Sequence, residues 1–210
     1  MNLSRLSTHI TPSDGDLKPI VEETLACIDA IHEAIDLPDL PVRYTDYVAP
    51  FGRYVPGDGC PDGIELSHRG PHLRLSLAHE VGHLLDHALG NYVVYCSQEP
   101  TSPLATVIAT ARNSVAIKML DAVVTGSTKA EAGLNVRQII YWLDPIEIWA
   151  RAYAQYIALR SGKTEFSEDI RIAQSLQPFA VCRNVQWEED DFASIATAIE
   201  TVFRRWGWQQ

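Results

Sequence analysis

Residues 77 to 88 read LAHEVGHLLDHA, and within them His79, Glu80 and His83 spell H-E-x-x-H. Leu77, Val81, Leu84 and Ala88 recur at helical spacing, which predicts a helix with one apolar stripe. His79, His83 and Asp86 fall on its other side. Residues four apart on a helix stack one turn above the other, so the two imidazoles face one point in space. Zinc accepts nitrogen ligands at about 2.0 to 2.1 Å, and two histidines at this spacing reach the same ion. Glu80 is rotated about 100° from His79. It therefore addresses a water on the metal rather than the metal itself.

That arrangement points to hydrolysis. Zinc lowers the pKa of its bound water to about 7. Glu80 takes the proton as a general base while the hydroxide attacks a carbonyl, then passes it to the leaving amine. Gly82 costs about 1 kcal/mol in a helix interior, and beside two candidate ligands it signals close packing of another backbone. His87 lies about 12 Å along the helix from His79, too far to share the ion. It reads as a cation at the helix C-terminus or a rim residue. Asp86 reads either as a hydrogen-bond partner of a ligand imidazole or as a solvent-facing carboxylate.

Two histidines need a third protein ligand, and the best candidate lies in residues 141 to 156, YWLDPIEIWARAYAQY. Ile146, Trp149, Tyr153 and Ile157 mark the core stripe of a helix. Glu147 lies on the flank that also carries Ala150, Ala154 and Ala158. Small residues at every fourth position let another helix approach closely, and the helix containing Gly82 is the natural partner. A second reading makes Asp144, Pro145 and Glu147 the N-cap, first and third residues of a capping box. The ligand reading is preferred.

H-E-x-G-H on one helix, followed by E-x-x-A-x-A-[FY] on another, resembles the gluzincin metallopeptidases. Within them the chain is most similar to the anthrax lethal factor type and to small bacterial and phage zincin-like domains. The resemblance covers about residues 51 to 160. It implies one zinc per chain held by His79, His83 and Glu147, with Glu80 as base. It also implies that Tyr141 helps to bind the oxyanion. Arg151 stands where lethal factor-type proteins have an acidic residue, and either orients the Glu147 carboxylate or forms a surface pair. The family binds extended peptide along an edge strand before the motif helix, and Gly63, Ile64, Glu65, Leu66 and Ser67 form the segment suited to that role.

Around the motif the chain reads as α+β, with strands first and helices after. Residues 1 to 16 are polar and read as loose. A helix is expected over Leu17 to Ile35. Val42 to Tyr47, Phe51 to Val55 and Gly63 to Ser67 read as strands of a small, mostly antiparallel sheet, because their connections are short. The motif helix ends near Gly90. Helical stretches follow at Pro103 to Val124, Asn135 to Leu143, Asp144 to Leu159, Glu168 to Leu176 and Glu188 to Trp206. Residues 103 to 143 form a helical insert between the ligands, a lid or a wall of the cleft. Trp206 and Trp208 read as anchors onto the core.

The 210 residues are 46% hydrophobic, enough for the core of a single domain. Against 27 acidic residues there are 17 basic ones, a net charge of -10, which argues against nucleic-acid or anionic-membrane partners. Four cysteines at positions 27, 60, 96 and 182 have no C-x-x-C spacing and read as small buried hydrophobes. With no apolar segment of signal-peptide type and no bilayer-length run, the expectation is a cytoplasmic protein. Its function reads as zinc-dependent peptide hydrolysis with a polypeptide substrate. The competing readings are a zinc hydrolase of a non-peptide amide, and a phage- or toxin-associated zincin-fold binding module with little turnover.

Overall fold

The computed structural model describes residues 3–46, 51–127, 135–175 and 186–209. Among the described residues, six strands lie within the N-terminal third: β1 (Leu3–Ser4), β2 (Ile10–Pro12), β3 (Ala34–Ile35), β4 (Leu40–Thr45), β5 (Gly52–Val55) and β6 (Gly63–Ser67). Helix α1 (Lys18–Ile31) lies between β2 and β3. The motif helix is α2 (Leu73–Leu89). It is followed by α3 (Ala105–Arg112), α4 (Val115–Val124), α5 (Val136–Trp142), α6 (Pro145–Ser161), α7 (Thr164–Ser175) and α8 (Glu189–Trp206). The protein is α+β.

The sheet corrects the antiparallel expectation. Its order is β2-β4-β6-β5, with β2, β4 and β6 mutually parallel and only β5 antiparallel. Short connections favour antiparallel pairing only when consecutive strands pair. Here β4 and β5 do not pair, because β6 lies between them. The β2-to-β4 link is a crossover through α1, which imposes parallel pairing.

Residues 3 to 12 are not loose. Leu6 and Ile10 are 1% and 2% exposed, and Asp29 of α1 accepts the backbone N–H groups of Leu6 and Ser7. The helix expected to reach Ile35 stops at Ile31, and Ala34–Ile35 pairs with β1 instead. The stretch from Pro103 splits in two at Ser114, whose hydroxyl caps α4 by accepting the Ile117 N–H. Asp191 of α8 accepts the N–H groups of Val115 and Ala116 at the same helix start. Tyr47, Leu176, Cys182 and residues 128 to 134 of the insert lie outside the described residues. Cys27 and Cys96 are buried, whereas Cys60 is exposed. No helix among the described residues is long and apolar enough to cross a membrane.

Two helices organise the interior. Glu147 to Ala158 of α6 are all buried, so this helix is enclosed on every side. It packs along α2, where an added Cβ at Gly82 would lie 3.0 Å from the Ala150 Cα and 3.2 Å from the Tyr153 Cδ1. The Trp149 indole N–H donates to the Gly82 carbonyl at 2.9 Å. One apolar cluster joins the sheet, α1, α2, α6 and α8. Trp208 is 2% exposed and stacks on the buried His32, with Trp206 packed partly against the same cluster.

Two stability predictions follow from this packing. Alanine is the better helix former by about 1 kcal/mol, yet Gly82→Ala is expected to destabilise by about 1–3 kcal/mol through overpacking. A urea denaturation midpoint at or above wild type would show that the helices do not meet as described. The second concerns His32, which bridges the Glu33 carbonyl and the Tyr153 hydroxyl at 2.8 and 2.9 Å. Burial lowers its pKa from 6.5 to about 4. Between those values the unfolded chain binds a proton that the folded one refuses, so stability falls as pH drops below 6.5. Wild type is expected to lose about 2–3 kcal/mol more than His32→Gln between pH 7 and 4.5. Parallel pH profiles of the two proteins would rule this out.

Candidate metal centre

The three ligand candidates meet. His79 Nε2 and His83 Nε2 are 3.0 Å apart. Glu147 presents Oε1 to His83 Nε2 at 3.3 Å and Oε2 to His79 Nε2 at 3.5 Å. One ligand atom from each residue lies within 4.8 Å of the others. Two donors held about 2.05 Å from one tetrahedral ion stand about 3.3 Å apart, and the imidazole pair and the nearer Glu147 oxygen to each ring, a different oxygen for each, lie close to that spacing. Two imidazole nitrogens and a carboxylate oxygen are a donor set for a divalent metal ion.

The charges of the cluster are coupled to one another. Burial alone would raise the Glu147 pKa, but hydrogen bonds and charge from His79 and His83 outweigh it and hold the carboxyl well below its ordinary range. Burial would lower the His83 pKa, yet Glu147, then Glu80 and Asp86, raise it. Asp144 caps α6 by accepting the Ile146 N–H at 3.0 Å. Glu147 is turned away from that cap and toward the histidines, so the capping-box alternative gives way to the ligand geometry.

The start of α2 is fixed from outside. Its N-cap residue, His72, makes no capping hydrogen bond to the helix backbone, its ring meeting the Ser76 hydroxyl. Asp169 of α7 accepts the Leu75 N–H at 3.1 Å instead. At the other end, Asp86 is fully buried and accepts the backbone N–H and the hydroxyl of Ser97 at 2.6 and 2.5 Å. It makes no hydrogen bond to a ligand imidazole and does not face solvent, so both expectations for it are corrected. Burial raises its pKa to about 6 against the lowering by Ser97 and His83. Asp86 ties down the turn after α2, where Asn91 and Tyr92 have φ of 55° and 58°.

His87 is also corrected. It is 6% exposed, its Nδ1 lies 2.9 Å from the Tyr54 hydroxyl, and its ring stacks on Tyr95. Burial lowers its pKa, so it is a neutral packing residue and not a helix-terminal cation.

Arg151 is 3% exposed, which excludes a surface pair. Its Nε donates to the Glu147 backbone carbonyl at 3.2 Å, and its guanidinium donates to the Trp142 carbonyl at the end of α5. The same group lies 5.2 Å from the Trp187 ring centroid. Burial lowers its pKa to about 10, partly offset by the charges of Glu147 and Tyr141. It thus fastens α5 to the ligand helix. Tyr141, on α5, has its pKa raised by burial, by the Glu147 charge and by a hydrogen bond to that carboxylate.

A cleft of about 840 Å³ opens over these residues. Gln138, Tyr141 and Trp142 line it, so the last part of the helical insert is a wall. The segment Gly63 to Ser67 does not border the cleft and is not an edge. It is hydrogen-bonded to β4 on one side and β5 on the other, which leaves no ladder free for an added strand. Glu65 pairs with Arg53 at 2.7 Å. The edge strand on the cleft side is β5, whose Gly52, Arg53 and Tyr54 line the cleft beside Phe51 and Tyr95. Sequence reasoning missed these residues. The available signal was Gly52, since an isolated glycine in a strand marks close approach of other atoms.

Glu80 is 5% exposed and accepts the Tyr54 backbone N–H through Oε2 at 2.6 Å. Comparison with known proteins finds no match, whether among family models, curated proteins or solved structures.

The metal centre makes a direct expectation. Purified protein supplied with zinc should hold about one equivalent per chain, measured by elemental analysis, and Glu147→Ala should lose most of it. Full metal retention in the variant would place the third ligand elsewhere.

Proposed function

We propose that this chain is a zinc-dependent peptidase of gluzincin-like type, with His79, His83 and Glu147 as ligands and Glu80 as general base. The observation that carries the reading is the convergence of those three ligand atoms beside a buried carboxylate in one cleft. Zinc would supply Lewis acidity, polarising the scissile carbonyl and acidifying water.

The chain's own groups do the rest. Oε2 of Glu80 is engaged by the Tyr54 N–H, so Oε1 receives the proton of the attacking water. The water oxygen bonds to the carbonyl carbon. Glu80 then returns the proton to the amide nitrogen as the C–N bond breaks. The Tyr141 hydroxyl, at the cleft wall, would exchange its hydrogen bond to Glu147 for one to the oxygen on which negative charge develops.

Substrate strand addition belongs to β5 in this reading. Phe51 and Val55 turn their carbonyls to Ser67 and Asp62 on the β6 side. Alternation along a strand therefore turns the N–H and C=O groups of Gly52 and Tyr54 outward, toward the cleft. With the Tyr54 N–H taken by Glu80, an extended peptide would bond to both groups of Gly52 and the carbonyl of Tyr54.

The test is hydrolysis of an unfolded polypeptide by zinc-loaded protein. Glu80→Gln should lower the rate by about 10²- to 10⁴-fold while the metal content stays unchanged. Undiminished cleavage by this variant would remove Glu80 from the mechanism. A zinc-loaded wild type that spares every unfolded polypeptide but hydrolyses small amides in a Glu80-dependent way would move the substrate class.

A further inference from the structure

The contact between β5 and the base has a second half, at Gly52. A Cβ on this residue would lie 2.8 Å from Glu80 Oε1, 3.0 Å from its Cγ and 3.2 Å from its Cδ. Real Cβ atoms essentially never come within 2.8 Å of another heavy atom, so a side chain here displaces the Glu80 carboxylate. Glycine is not needed for the backbone, because Gly52 is absent from the positive-φ residues. It also weakens an edge strand, as glycine does in any strand interior. What it supplies is space, and the group filling that space is the Glu80 carboxyl.

We infer that Gly52 is a positioning residue for the reaction, and that Gly52 and the Tyr54 amide form a backbone cradle that fixes the Glu80 carboxylate. This rests on the peptidase reading above. The two halves act on different oxygens. The Tyr54 N–H holds Oε2 at 2.6 Å. The bare α-carbon of Gly52 leaves the space in which Oε1 lies against the strand. Tyr54 is itself fixed from below, since its hydroxyl meets His87 Nδ1 at 2.9 Å one turn beyond His83 on α2. The strand that would receive substrate is therefore keyed to the helix that carries the base, through the base and through a second bond beside it. Displacing a reacting group by about 1 Å can cost on the order of 100-fold in rate.

The experiment is a double-mutant cycle on zinc-loaded protein, read by kinetics, metal content and thermal unfolding. Gly52→Ala is expected to lower kcat by about 10- to 100-fold, with KM within about threefold and zinc content equal to wild type. It should lower Tm by roughly 2–4 °C. In a Glu80→Ala background the same substitution should leave Tm unchanged or raise it, because the clashing atoms are gone and alanine is the better strand residue. In a Glu80→Asp background, which withdraws the carboxylate from the strand, Gly52→Ala should cost little further kcat. An equal Tm loss with and without the Glu80 side chain overturns the contact. An unchanged kcat in Gly52→Ala overturns the positioning role, as does loss of zinc in step with activity. Coupled Tm values in a protein whose wild type turns over no substrate would overturn the peptidase reading and reduce the cradle to a packing contact. The Tm cycle thus separates failure of the geometry from failure of the function.

Discussion

The close approach of α2 and α6 at Gly82 and Ala150 sets the terms for everything around it. Its 3.0 Å clearance for an added Cβ brings two helix backbones to a distance that most side chains forbid. Only at that distance can a glutamate near the start of α6 reach two imidazoles on α2. The Trp149 indole, bonded to the Gly82 carbonyl, fixes the sliding position as well as the separation. The ligand distances are therefore a property of the interior packing. The site's two helices are almost wholly buried, which is why a polar triad can be held without support from loops.

The cost of that design is a set of charged and polar groups in the interior, and three of the charged ones have specific partners. Arg151 finds carbonyls and an indole face. Asp86 finds the Ser97 amide and hydroxyl. Asp169 serves the open start of α2. Buried polar groups without partners cost about 1–3 kcal/mol each, so these contacts are conditions for the packing and not additions to it. Several come from residues distant in sequence, which ties α7 and the turn after α2 to the motif helix.

What was legible in the sequence follows from the range of the interactions. The H-E-x-x-H spacing, Gly82 and the alanines of α6 are local patterns, and each states its geometry within one or two helical turns. They sufficed to name the three side chains that converge and the two helices that face each other. The sheet was less legible because strand order depends on which segment inserts between two others. Nothing in Phe51 to Val55 says that β6 will come between it and β4. Asp86 and His87 were misread for a related reason: on a helix wheel they lie on the polar side, and only the chain beyond Gly90 shows that this side is covered. Gly52 was the readable clue to the edge strand, but its partner is Glu80, 28 positions later.

Arg151 has a consequence for how the cleft can move. Its guanidinium holds the last carbonyl of α5, and its Nε holds the backbone of Glu147 itself. The wall that carries Tyr141 and the helix that carries the ligand are thus one mechanical body. Swinging α5 outward alone would strip a buried cation of an acceptor. Opening the cleft on this side therefore moves α5 and the Glu147 backbone together, so the width of the mouth and the spacing of the His79, His83 and Glu147 cluster change as one.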